Sequence, residues 1–396
     1  MDRPVKSFAP PKRVLMGPGP SDVHARVLAA MARPTIGHLD PAFVGMMDEL
    51  KALLQYAFRT TNELTIPVSG PGSAGMETCF VNLVRPGDTV VVCANGVFGT
   101  RMAENVRRCG GNAVGVETTW GEPVDLDKVD EALKGANATA LAFVHAETST
   151  GVASDAAALC ALAQRHGALS IVDAVTSLGG MPVEVDSWGA DAVYTGSQKC
   201  LSCAPGLSPV TFGPRAVERV KTRGGKAQSW FMDLDLVMGY WGAGARRAYH
   251  HTAPINGLYG LHESLVMLAE EGIEASWARH AKAHRALKAG IEAMGLSFLV
   301  PEASRLPMLN AVLVPEGVDE AALRARLLER FGLEIGAGLG ALAGRIWRIG
   351  LMGQSAVPAN VLLCLSAIEA TLGETNAPIT TGAAVPAAMR VLFQEA

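Results

Sequence analysis

Cysteine is scarce: seven residues in a chain of 396, at no spacing that suggests dense pairing, leave no basis for a disulfide framework. The odd count strands one thiol under any full pairing. Strings such as VVVCANG and VLLCLSA set cysteine among apolar neighbours, where it behaves as a small core residue. A reducing compartment, the cytoplasm, is the expectation. Runs of roughly 18 apolar residues, the length a membrane helix needs, are also missing. The opening MDRPVKSFAPPKRVLMGPGP puts charge and proline where a secretory leader needs an apolar stretch, so neither leader nor membrane partner is expected. No block of five or six like charges occurs and the formal net charge is only -4, which gives nucleic acid no basic footprint. Charged residues make up 18% and hydrophobic ones 49%, a balance that excludes disorder and supplies a sizeable core. Small molecules are the expected partners.

Short β-branched runs alternate with helical spacing through the first half. Candidate strands are Leu64 to Val68, Asp88 to Cys93, Thr139 to His145, Ala168 to Asp173, Asp191 to Thr195 and Leu207 to Phe212. Helical patterns lie between them at Ala74 to Val84, Thr100 to Arg108, Ser154 to Arg165 and Ala216 to Arg223. This alternation predicts an α/β fold with a largely parallel sheet covered on both faces, which binds ligands beyond the carboxyl ends of its strands. Past about residue 225 comes an aromatic and histidine-rich stretch. Two long helical patterns follow, Leu258 to Glu271 and Ala275 to Ala293, and then a smaller mixture with strands at Ser297 to Val300, Ala311 to Val314 and Arg345 to Ile349. The expected division is an N-terminal arm (1–20), a large domain (21–272) and a small C-terminal α/β domain (273–396) that includes the linking helix.

Three stretches carry candidate chemistry. In SGPGSAGMETCF two glycines and a serine open a helix, where free N–H groups and the positive dipole end suit an anion, although a plain tight turn explains the string equally well. In SIVDAVTSLGG, Asp173 ends a buried strand at the ligand edge; there it can bind a metal, a ribose or a protonated ring nitrogen, or merely cap a turn. In TGSQKCLSCAPG, Lys199 follows the next predicted strand and reaches the same edge. A lysine that forms a Schiff base, opposite a carboxylate for a pyridinium nitrogen, is the pairing that pyridoxal phosphate chemistry requires. Cys200 and Cys203 lack a second pair at zinc spacing, and the adjacent His250 and His251 have diverging side chains, so no metal is expected.

The strings MGPGPS, GHLDPAF, SGPGSAGMET, ANGVFG, ETSTGV, VDAVTSLGG, TGSQKCL, CAPGL, YHHTAP and IWRIGLMG run in order from about residue 12 to about residue 372. Together they resemble the alanine:glyoxylate and serine:glyoxylate branch of the class V, fold-type I pyridoxal phosphate aminotransferases. The resemblance implies a large domain with a mostly parallel seven-stranded sheet plus the smaller C-terminal domain. It makes Lys199 the Schiff-base lysine and Asp173 the partner of the ring nitrogen. Gly72, Ser73 and Gln198 would serve the phosphate, Phe98 and Val175 the two ring faces, and Thr148 the ring edge. Arg348 would hold the substrate carboxylate, with Pro18 and Gly19 supplying main-chain contacts. Tyr249 and Thr252 would reach the phosphate of a neighbouring subunit in a homodimer with shared active sites. The implied substrates are a small L-amino acid, alanine or serine, and glyoxylate as the oxo-acid acceptor.

Where many alanine:glyoxylate enzymes carry Trp, this chain has Phe98, and Pro71 removes one N–H from the phosphate loop. Ureidoglycine:glyoxylate enzymes typically show Gln and Asn at the positions of His38 and Tyr249. A cysteine desulfurase needs a mobile cysteine where only Cys364 stands, in an apolar helix. A donor with a second carboxylate would need Arg101, Arg246 or Arg247 to point inward. A silent, cofactor-binding regulatory protein is the remaining alternative.

Overall fold

Apolar runs with few polar interruptions build the centre of the molecule, and the first of them continue straight into turns that carry function. In the computed structural model, which describes residues 6–242, 247–375 and 377–394, one large sheet contains seven strands. They are Leu64–Ser69 (β1), Thr89–Ala94 (β2), Asn112–Glu117 (β3), Ala140–Val144 (β4), Leu169–Asp173 (β5), Ala192–Tyr194 (β6) and Leu207–Phe212 (β7). Their order is β1-β7-β6-β5-β4-β2-β3, and β7 alone runs antiparallel to its neighbours. Strands β4, β5 and β7 are buried at every position, which is why they read as continuous apolar runs.

The strand β3 escapes the apolar-run criterion because it is the outer edge of the sheet and most of its residues face solvent at least partly. The helix Pro41–Phe58 is a further element that the alternation does not predict, although Asp40 caps it, Pro41 opens it, and Phe43, Met47, Leu50, Leu54 and Phe58 form a buried stripe. Conversely, Ser297 to Val300 makes only an isolated bridge, Phe298 to Val312, and is no strand.

Two helices start at the carboxyl edge of this sheet: Gly72–Leu83 (α1) and Val97–Arg108 (α2). A Cβ on Gly72 would stand 3.2 Å from Val175 Cγ2, and one on Gly75 would collide with the Ser208 hydroxyl. Glycine at both positions therefore lets α1 lie down on the ends of β5 to β7.

The C-terminal part has its own antiparallel sheet of Leu309–Leu313 (β8), Gly336–Ala337 (β9) and Ile346–Gly350 (β10), ordered β8-β10-β9. Buried apolar residues accordingly form two main clusters, one around the large sheet and one joining β8 and β10 to the helices Glu320–Phe331, Pro358–Gly373 and Ala384–Phe393. The helix Ile273–Ala293 (α3) serves both: Ser276 donates to the Gly179 carbonyl beside the large sheet, His280 meets Gly353 just beyond β10, and Ala283, Ala286, Leu287 and Ile291 enter the second cluster. The N-terminal segment is built into that second cluster too. Val14 and Leu15 pair in parallel with Leu333 and Glu334, and Gly350 N–H donates to the Met16 carbonyl at 2.7 Å. From there residues 17 to 21 cross to the large sheet.

Candidate active site

The parallel strands deliver their next residues to one edge, and Asp173 and Lys199 both lie there, near enough to influence each other's charge. Asp173 is 3% exposed; its Oδ1 accepts the Val175 N–H at 2.8 Å and its Oδ2 accepts the Tyr194 hydroxyl at 2.7 Å. Burial, reinforced by the charge of Glu147 and opposed by these hydrogen bonds and Lys199, lifts its pKa to about 7. Burial, and then the Arg348 charge, lowers Lys199 to about 8. An acid and a base that differ by several units in water are thus brought close to neutrality and to each other.

Lys199 is held from the N-terminal side. Its Nζ donates to the Pro18 carbonyl, and a Cβ on Gly19 (φ 108°) would sit 2.5 Å from that nitrogen, so only glycine fits. Ser21 clamps the lysine loop from outside, with N–H to the Gln198 carbonyl at 2.9 Å and hydroxyl to the Lys199 carbonyl at 2.8 Å.

Arg348 enters from β10. Its Nε donates to the Ala337 carbonyl at 2.6 Å and its Nη1 to the Thr148 carbonyl at 3.1 Å, and no carboxylate pairs with it among the described residues. Burial lowers its pKa to about 10, which still leaves it charged at neutral pH. The guanidinium is therefore held by two main-chain carbonyls, with the Glu147 carboxyl near enough to favour its charge but no ion pair formed.

Glu147, which no sequence motif singles out, ties the opposite wall together. Fully buried, it accepts from Ser149 N–H (2.9 Å), the Ser149 hydroxyl (2.6 Å) and Phe98 N–H (3.1 Å). The carboxyl thereby caps α2, whose N-cap Gly96 has no side chain to do so. Burial raises its pKa. Phe98 is stacked by Arg101, whose guanidinium carbon lies 4.9 Å from the ring centroid and whose Nη1 donates to Ser73 Oγ at 3.3 Å.

Other predicted residues stand apart. Tyr249 is 62% exposed, against His38 at 5.2 Å, and Thr252 is exposed as well; neither is enclosed with Lys199. His250 and His251 hydrogen-bond each other at 2.8 Å, and His251 reaches Ser69 at 2.9 Å. No cluster of metal-ligating side chains occurs among the described residues. Arg247 turns to Asp48 and the Tyr240 carbonyl, and Arg246 lies outside the described residues. All seven cysteines are free and buried; Cys200 packs its sulfur on the Thr176 carbonyl at 3.2 Å, and burial pushes its thiol up to about 12. Tyr194 could have been found from the sequence, since it closes the very strand, DAVYT, that lies between Asp173 and Lys199.

These residues fit pyridoxal phosphate. The start of α1 carries no side-chain cap, so its N–H groups at Gly72 and Ser73 are available to phosphate. Gln198 lies beside Gly196, which in turn lies next to Gly72 and Val175; its Oε1 is buried without a partner, and it is the amide Nε2 that would donate to a phosphate there. Asp173, with its anion supported from two sides, suits a ring nitrogen, and the buried amine of Lys199 suits an aldehyde.

The family model of class-V aminotransferases matches residues 21–348. The (S)-ureidoglycine–glyoxylate transaminase of Bacillus subtilis is 37% identical over 98% of this chain and 97% of its own. The alanine–glyoxylate aminotransferase of Oryctolagus cuniculus is 39% identical over 93% of this chain and 94% of its own. Among solved structures, the alanine–glyoxylate aminotransferase of Nostoc sp. superimposes with a TM-score of 0.91 at 44% identity, covering 93% of this chain and 98% of that one. Sequence, fold and the meeting of an acid and a lysine at the large-sheet edge with an arginine from the C-terminal sheet agree: this chain belongs to the class-V aminotransferases and is a pyridoxal-phosphate-dependent enzyme.

Proposed function

We propose that this enzyme moves the amino group of a small L-amino acid, alanine or serine, to glyoxylate, with Lys199 as the residue that holds the cofactor covalently. The observation that carries this reading is the buried guanidinium of Arg348, which forms no ion pair among the described residues and lies close enough to Lys199 for its charge to lower the lysine pKa, so that it can take one substrate carboxylate. The relatives named above support glyoxylate as acceptor and differ in donor.

Bound pyridoxal phosphate supplies the electron sink that makes the Cα proton of an amino acid acidic. The chain does the rest. Arg348 orients the substrate carboxylate through a planar fork. Lys199, with a pKa lowered to about 8, has a neutral fraction at ordinary pH and so accepts and returns the proton. Asp173 would hold the proton on the ring nitrogen, with Phe98 and Val175 on the two ring faces. Gly72, Ser73 and Gln198 would bind the phosphate and Thr148 would border the ring, while the Pro18 and Gly19 main chain limits the space beside the lysine.

Donor choice depends on the surroundings of Arg348. Arg247 is committed to Asp48 and so offers a second carboxylate no free cation, while Arg101 lies over Phe98 and donates to Ser73 without an ion pair among the described residues. The His38–Tyr249 ring pair, which would face the neighbouring subunit's site, stands where the resemblance gives ureidoglycine enzymes amides, which favours an apolar or hydroxyl-bearing donor. Exposed Tyr249, Trp230, Leu39 and Leu236 support a homodimer in which Tyr249 and Thr252 serve the neighbouring site. Among the described residues no helix is long and apolar enough to cross a membrane, and the free buried thiols accord with a reducing compartment.

Steady-state rates for alanine, serine, aspartate and ureidoglycine against glyoxylate test the reading. Alanine or serine is expected to exceed aspartate in kcat/KM by at least about tenfold, the worth of one unpaired buried carboxylate. Equal use of aspartate would overturn it.

A further inference from the structure

Asp173 takes two hydrogen bonds, one from main chain and one from a side chain that no family motif assigns. Tyr194 is completely buried and lies directly beside Asp173 in the parallel register of β5 and β6. Side chains at paired positions of parallel strands leave the same face of the sheet. The tyrosine therefore reaches Asp173 Oδ2 without leaving the strand, at 2.7 Å. The helix α1 covers this face: a Cβ on Gly75 would come within 3.2 Å of Tyr194 Cβ. The carboxylate thus has a donor that can neither rotate away nor be replaced by water.

We propose that Tyr194 is a positioning residue for the transamination, its hydroxyl fixing the rotamer of Asp173 and stabilising the carboxylate that faces the cofactor ring nitrogen. This rests on the reading of Asp173 given above. The need for such a donor is evident from the surroundings. The titratable groups that face Asp173 are Glu147 from the segment after β4, Cys79 from α1, Lys199 from the loop after β6, and Tyr194 itself. His145, whose main-chain N–H donates to the Asp173 carbonyl, turns its ring to Trp188, 5.0 Å away. Among the described residues no cation forms an ion pair with Asp173, while Glu147 and burial both favour its protonated form. A protonated Asp173 would deprive the ring nitrogen of its anion. The tyrosine cannot compete for the charge, because burial and the neighbouring carboxylate push its own pKa well above the ordinary value. It stays a donor throughout the working range.

The test compares Tyr194→Phe, Asp173→Asn and the double variant as holoenzymes. Removing a donor from the charged form raises a carboxyl pKa, so the acid limb of the kcat profile of Tyr194→Phe should move up by about one pH unit. Its kcat should fall about tenfold to a hundredfold, as for a lost hydrogen bond to a charged group, and the apoenzyme's Kd for pyridoxal phosphate should rise about tenfold. With Asp173→Asn in place, Tyr194→Phe should add less than about twofold. If Tyr194→Phe fails to fold, site-specific difluorotyrosine, a stronger donor, should move the acid limb the other way. An unmoved acid limb and unchanged cofactor affinity in the tyrosine variants, with Asp173→Asn impaired, would overturn the role of Tyr194 alone. An unimpaired Asp173→Asn would overturn the reading of Asp173 and the proposal with it.

Discussion

The two sides of the site solve opposite electrostatic problems. On the floor, at the edge of the large sheet, Asp173 and Lys199 are buried so that their pKa values, about 7 and about 8, approach each other. Lys199 can thereby give up and regain its proton near neutral pH, while Asp173 relies on its two hydrogen-bond donors to stay ionised. On the facing side, Arg348 from β10 is also buried, yet a guanidinium lowered to about 10 cannot discharge at neutral pH. It is held by the carbonyls of Ala337 and Thr148 rather than by an acid. Burial therefore tunes a proton carrier on one side and preserves a fixed charge on the other, because the two residue types start so far apart. On the proposed reading, proton transfer belongs to Lys199 on the floor and substrate recognition to Arg348 on the facing side.

The largest test of this contrast removes the floor. Lys199→Ala should lower kcat by at least about a thousandfold and abolish the visible absorption of bound cofactor, since both covalent anchor and base are lost. Steady-state assay and absorption spectra read both effects. Changing the facing side should act differently: Arg348→Lys keeps the charge but loses the fork. It should raise KM for amino and oxo acids by about tenfold to a hundredfold while pyridoxal phosphate affinity stays within about twofold. A loss of cofactor affinity instead would place Arg348 on the cofactor side.

A smaller effect is expected where the two sides join. His280 on α3 donates Nδ1–H to the Ser276 carbonyl at 2.7 Å, so its Nε2 accepts Gly353 N–H at 2.8 Å, just beyond β10. Gln354 N–H then reaches Ser202 of the lysine loop at 2.7 Å. His280→Leu should cost about 1–3 kcal/mol in denaturant unfolding by orphaning a buried N–H. His280→Gln, which can still accept, should recover part of that loss.

The smallest effect is a pH dependence. Burial holds His145 and His280 neutral, with pKa lowered to about 4 from the ordinary 6.5. The unfolded chain therefore binds more protons between those values. Stability should be unaffected by these two groups above about pH 6.5 and should fall as pH drops toward 4. Melting temperature followed across this window should decline less steeply in His280→Gln.

Legibility in the sequence tracked how local each feature is. Gly72, Asp173 and Lys199 each sit at a junction between a strand and the turn or helix after it. A parallel sheet brings such junctions to one edge, so their convergence could be argued before any distance was known. Asn112–Glu117 was not visible as a strand because an edge strand need not be apolar, whereas Pro41–Phe58 had both a cap and a stripe to reveal it. Glu147 gave no signal: a lone glutamate in ETSTGV becomes the cap of α2 only when Phe98 and Ser149 are folded against it.

From the residues alone came the α/β alternation, the catalytic lysine and acid as candidates, and the family resemblance that covers most of the chain. These depend on periodicity and on motifs a few residues long. Tertiary structure alone decided that the Pro18 carbonyl meets Lys199, that Arg348 is held by Thr148 and Ala337, and that Tyr194 lies on Asp173. Each of these depends on strand register or on contact between distant segments. Their consequence, pKa values moved toward neutrality, comes from the exclusion of water, which no short stretch of chain can bring about by itself.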